Sequence, residues 1–238
     1  MSTYADTVLS APLERFPPWE RAQREADYLA REPLPSPWEL RMTGFLSSSF
    51  AQRVSGWFTS EPEPPTAAVR SSYSALERET ARLGHVIRHV LGVRVRYTRG
   101  ADDPYLTAAD LCTDLRRHGT MRLRTIACDD PHPLLGGEQG GVVDQLRVVH
   151  DVFGHAALGL GFDLQAEYAT WLQCRALFSA EARPAAFCEL VGAVTAYVMT
   201  GAKPALRAAV PPAALQSSAA VFSSPREVIP SLTNTLRR

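Results

Sequence analysis

"VVHDVFGHAALG", residues 148–159, sets His150 and His155 five positions apart, with Gly154 directly before the second histidine. On an ideal α-helix five residues turn through about 500°, which leaves the two imidazoles about 140° apart. An undistorted helix therefore cannot aim both at one ion. Gly154 changes that expectation, because a glycine lets the helix loosen or end and lets His155 swing toward His150. Neutral imidazole is the commonest side-chain ligand for zinc, iron and copper. Two histidines packed near a helix end can equally be ordinary core, so the rest of the chain has to supply a further ligand.

Two carboxylates compete for that place. Glu189 is the only charged residue in "PAAFCELVGAVTAYVMTGA" (184–202). That helix is apolar on every side and is expected to be buried, where an unpaired carboxylate costs several kcal/mol on a rough estimate. A metal ion would remove the penalty, and so would an arginine such as Arg183 or Arg175. Glu167, in "GFDLQAEYATW" (161–171), lies one helix after the histidine pair. It suits a ligand, a group that orients a ligand histidine, or a solvated helix face. Asp151 can pair with Arg147 one turn back. His132, between prolines in "DDPHPLL" (129–135), either lines the mouth of a pocket or forms a turn. His85 and His89 share a helix face but lack the glutamate of a His-Glu-x-x-His zinc motif. His118 follows two arginines at a helix end, where positive charge suits the dipole.

The 238 residues carry equal numbers of acidic and basic side chains, 25 of each, so no global field draws the chain to nucleic acid. The four cysteines, Cys112, Cys128, Cys174 and Cys188, form no Cys-x-x-Cys pair and read as reduced core thiols. The first ten residues lack a signal peptide's basic start and apolar run. The strongly apolar run 190–199 is shorter than the roughly 20 residues a membrane span needs. The expectation is a cytoplasmic protein with no membrane partner.

Helical periodicity and capping residues predict helices over about 67–91, 107–118, 142–157, 162–178 and 184–200, with shorter ones before residue 60. "VRVRYT" (93–98) and "MRLRTIAC" (121–128) alternate and read as strands. The proline-acidic stretch "TSEPEPPT" (59–66) reads as a linker. It divides the chain into a helical, proline-rich appendage, 1–62, and a metal-binding catalytic domain, 63–238. The fold class is mostly α with a small β-sheet.

"HDVFGH" (150–155) resembles the His-Glu-x-x-Gly-His iron motif of the aromatic amino acid hydroxylases, with Asp151 where that family usually has glutamate. "HAALGLGFDLQAEYA" (155–169) resembles the stretch that follows the motif, and the likeness covers about residues 120–201. It implies a helical catalytic core of that kind and a mononuclear non-haem iron centre of two histidines and one glutamate. The family's glutamate is not carried over, because its best counterpart, "VMTG" (198–201), has Met199 there. Glu189 lies ten residues earlier, about 15 Å along a helix axis. A tetrahydropterin is also implied, though no segment here matches the family's pterin-binding segments. "HPLLGGEQGGVVDQLRVVHDVFGHA" (132–156), with "GFDLQAEYATW" and "ARPAAFCE" (182–189), looks more similar still to an uncharacterised bacterial and phage group.

The resulting expectation is an Fe(II)-dependent oxygenase acting with O₂ on a small amino acid or aromatic substrate. Its metal ligands are His150, His155 and Glu189, and Asp151 and Glu167 act beside them. A zinc or manganese hydrolase on the same residues, with Glu167 as base, is the alternative. So is a non-catalytic binding protein that keeps the fold.

Overall fold

A computed structural model describes residues 13–43, 46–98, 103–125 and 130–216. It shows a mostly helical chain with one small sheet. The first helices are α1 (Glu20–Leu29), α2 (Pro37–Met42) and α3 (Ser48–Thr59). Ser36 and Glu39 close a reciprocal capping box at the start of α2, and the Ser47 side chain caps α3. The long helix α4 (Ala67–His89) starts on the Thr66 side chain and buries Val69, Tyr73, Leu76, Leu83 and Ile87 along one stripe.

A right-sized crossover then builds the sheet. Strand β1 (Arg94–Tyr97), helix α5 (Ala108–His118) and strand β2 (Thr120–Leu123) place the two strands parallel, with Arg96 opposite Arg122. Thr107 caps α5 through its side chain, and Gly119 ends it at φ 55°, as the sequence predicts. The second strand stops at Leu123, and Cys128 lies outside the described residues. The other three cysteines are buried and free.

Helix α6 (Val142–His150) runs without a break into a π-helical segment, π1 (Asp151–Ala156). Helix α7 (Leu164–Leu177) packs back against π1, and α1 and α5 flank it. The last long helix is also continuous: α8 (Arg183–Phe187), a second π segment, π2 (Cys188–Gly192), and α9 (Ala193–Thr200). The short α10 (Ala213–Gln216) follows. No helix among the described residues is long and apolar enough to cross a membrane.

The segment read as an appendage shares the central core. Ala22, Ala26, Leu46, Phe50 and Val54 belong to one apolar cluster with Tyr73, Leu83, Val149, Phe153 and Leu177. Residues 14–19 also lie along the end of π1. The Phe16 amide donates to Gly159 O at 3.0 Å and the Trp19 amide to Ala156 O at 2.7 Å. Gly159 sits at φ 68°, and a Cβ there would come within 2.1 Å of Phe16 O.

Candidate metal centre

The helix does not end at Gly154; it widens. A π segment bonds each residue to the one five positions on, so residues five apart become neighbours on successive turns. His150 and His155 consequently meet edge to face, with ring centroids 4.7 Å apart. Gly154 serves a second purpose, the close approach of α7. A Cβ at 154 would lie 2.7 Å from Thr170 Cβ and 3.6 Å from Cys174 Sγ.

Helix α7 brings the carboxylate. Asp163 caps it by accepting from the Ala166 amide at 2.9 Å. Glu167 then falls in the first turn, where the helix dipole favours an anion. Its Oε2 lies 3.2 Å from His150 Nε2 and its Oε1 3.4 Å from His155 Nε2. Donors bound to one ion at about 2.0–2.2 Å are spaced about 2.8–3.6 Å apart at octahedral or tetrahedral angles. Both observed separations fall in that range.

The other ring nitrogens are held from outside. His155 Nδ1 lies 3.2 Å from Leu160 O, and since a carbonyl only accepts, Nδ1 carries the proton. His155 Nε2 is buried and turned toward Glu167, at 3.4 Å an ion-pair contact longer than a good hydrogen bond. His150 Nδ1 lies 3.3 Å from Asp151 Oδ1. This outer bonding, one imidazole to a carbonyl and one to a carboxylate, is the arrangement that orients metal-binding histidines.

The imidazoles and carboxylates of the cluster also stabilise one another's charges. Burial opposes a charged imidazole at His150, but Glu167 and Asp151 outweigh it and raise its pKa to about 10. Burial likewise opposes a charged Glu167, yet His155 and His150 lower it to about 2. Thr170 spends its only hydroxyl proton on Glu167 O at 2.8 Å, so it accepts from His150 Nε2, also at 2.8 Å. A proton on His150 thus does part of what a cation would do.

Asp151 also brings a donor atom within 4.8 Å of those of both histidines. Two carboxylates therefore contend for the pair. Glu167 reaches Nε2 of both rings, whereas the nearest contact of Asp151 is to the other nitrogen of His150. The contact geometry favours Glu167 as ligand and Asp151 as the group that holds a ring in place. Arg147 does not pair with Asp151; it donates to Arg124 O at 2.6 Å and to Asp103 at 3.3 Å.

Glu189 is not brought to the pair. Tyr73 Oη donates to its Oε1 at 2.5 Å, and His132 Nε2 lies 3.2 Å from the same oxygen. Neither Arg183 nor Arg175 is its partner; Arg183 bonds to Glu32 and to the Arg175 and Phe178 carbonyls. His132 is buried rather than at a pocket mouth. Its Nδ1 accepts from the Leu134 and Leu135 amides at 3.1 and 3.0 Å, which places its proton on Nε2, facing Glu189. Largely enclosed, Glu189 has a phenol and an imidazole N–H on its carboxylate, and the two rings stack on each other at 5.1 Å. His85 and His89 lie together on α4, with ring centroids 4.3 Å apart.

A cavity of about 350 Å³ opens over the centre, lined by His150, Asp151, His155, Glu167, Phe162 and Tyr105, with Asp103, Arg122, Leu123 and Arg147 at its sides. Its size suits a small ligand. Phe162 meets the His155 ring edge to face at 4.8 Å. Sequence reasoning missed Thr170, although it lies one turn beyond Glu167 on the same face. It also missed Tyr105 and Arg122, which reach the site only through the crossover around α5.

Comparisons with protein-family models, with characterised proteins and with solved structures find no match to this chain.

Proposed function

We propose that this chain is a mononuclear metal enzyme whose ion is held by His150 Nε2, His155 Nε2 and the Glu167 carboxylate. We further propose that the ion is Fe(II) and the activity an oxygenase's, on a small-molecule substrate. The observation that carries the reading is the Glu167 carboxylate, which lies 3.2 Å from His150 Nε2 and 3.4 Å from His155 Nε2 while Asp151 and the Leu160 carbonyl hold the other ring nitrogens. Two histidines and one carboxylate beside an open cavity form the facial arrangement of non-haem iron oxygenases. The likeness of "HDVFGH" to the hydroxylase iron motif points the same way, with Glu167 in the role the sequence reading gave to Glu189.

The bound ion would supply open coordination positions for O₂ and the electrons that activate it. The chain's own groups do the rest. Asp151 and the Leu160 carbonyl fix the two rings. Phe162 and Tyr105 give the cavity apolar walls, and Arg122 and Arg147 give it a cationic rim. Asp151 lines the cavity as well, so with Zn²⁺ in the same ligands it would take the base role in a hydrolase.

Metal content of anaerobically purified protein tests the reading. Wild type and Glu189→Ala are expected to hold about one iron per chain, and Glu167→Ala to lose it. Loss in Glu189→Ala alone would return the ligand to that residue. Zinc in place of iron favours the hydrolase. No stoichiometric metal after Fe(II) reconstitution would leave a non-catalytic binding protein. O₂ uptake with and without a tetrahydropterin then decides the reductant.

A further inference from the structure

The two strands carry a second feature that the metal centre does not use. Side chains alternate across a strand, so Arg94 and Arg96 of β1 share a face with Thr120 and Arg122 of β2. Arg117 and His118, from the last turn of α5, join that face in a concavity of about 550 Å³. Four guanidiniums line it with one carboxylate, Asp114. Asp114 is already engaged by Arg122 Nε at 3.1 Å and by Tyr105 Oη. Arg96 and Arg117 have no hydrogen-bond or ion-pair partner among the described residues.

Part of this charge has an ordinary explanation, since basic residues at the end of α5 complement its dipole. That does not account for the strands. Arg96 and Arg122 are direct cross-strand neighbours, and like charges so placed are destabilising. A solvated sheet face in a chain of zero net charge would be expected to mix signs. The guanidinium fork matches the oxygens of a phosphate, and several forks in one hollow suit a dianion better than a single carboxylate. The hollow has no Phe, Tyr or Trp on which successive bases could stack, which argues against single-stranded nucleic acid. Arg122 lines this hollow and also the cavity over His150 and His155.

We propose that the Arg94–Arg96–Arg117–Arg122 hollow is a phosphate subsite for a phosphorylated small molecule, whose remainder reaches across Arg122 toward the neighbouring cavity. The phosphate subsite stands on its own; the direction of the remainder rests on the proposed metal centre.

Titration calorimetry of metal-free protein with phenyl phosphate at low salt tests this. Saturable binding at one site per chain is expected, weakened about tenfold in Arg96→Ser and in Arg117→Ser, the loss of one charged hydrogen-bonding group. Arg24→Ser, on exposed α1, is expected to bind as wild type does. His155→Ala is also expected to retain binding, so the subsite survives even where no metal is found. The proposal is overturned by no saturation, by unchanged affinity in both arginine variants, or by loss of binding in His155→Ala, which would put the anion at the metal centre. Tighter binding of a thymidine oligonucleotide through the same arginines would also overturn it, in favour of a nucleic-acid surface.

Discussion

His150 and Glu167 hold each other charged in the metal-free chain, and that sets a pH window. His150 is raised from 6.5 to about 10, so its contribution to stability is complete below pH 6.5 and is lost as pH rises through about 10. Glu167 is lowered from 4.5 to about 2, so its contribution is complete above pH 4.5 and is lost as pH falls toward about 2. The metal-free protein should gain most from the pair between pH 4.5 and 6.5. Thermal denaturation across pH should show its alkaline limb flattened in Glu167→Gln. A bound ion needs His150 Nε2 unprotonated, so binding near pH 7 should release about one proton. Titration calorimetry in two buffers of different ionisation enthalpy reads that directly; a heat independent of buffer would mean that His150 is not a ligand.

At the scale of the element, the π turn replaces the break that Gly154 suggests. Gly154 is needed where α7 presses on π1, so its methyl counterpart has nowhere to go. Gly154→Ala should destabilise the fold by about 1–3 kcal/mol, as overpacking does. It should also push Thr170 and Glu167 from the histidines, so metal affinity should fall together with Tm. A Tm equal to wild type would show that α7 shifts freely. The second π turn carries Glu189 toward Tyr73 and His132. Tyr73→Phe leaves a largely enclosed carboxylate with one partner fewer and should cost about 1–3 kcal/mol in denaturant unfolding. Iron content should not change, since Glu189 lies outside the proposed ligand set.

For the whole molecule, residues 14–19 tie the N-terminal helices to the end of π1 through the Phe16 and Trp19 amides. A chain beginning at Glu20 leaves the carbonyls of Ala156 and Gly159 without those donors. Amide exchange over residues 154–161 should then accelerate, and Tm should drop. Unchanged exchange there would show that α1, α5 and α7 hold π1 without residues 14–19. The proline-acidic linker is legible in the sequence, but its reading as a boundary misses the packing of Ala22, Ala26 and Phe50 into the common core. Those residues have only a short apolar stripe each, and nothing local says which surface covers it.

The sequence by itself determined the main helices, the caps of α5 and the two short strands, and it drew attention to His150 and His155, because periodicity, capping side chains and glycines act over a few residues. It also singled out Glu189, alone in an apolar helix, and Glu167, one helix after the histidine pair, as the carboxylates to weigh. Only the tertiary structure shows which of them faces the histidines. Packing α7 on π1 sets Glu167 against both imidazoles, while packing α4 on the helix around π2 gives Glu189 to Tyr73 and His132. Partners contributed by distant elements leave no periodic trace, and the burial that makes them matter exists only once those elements have docked.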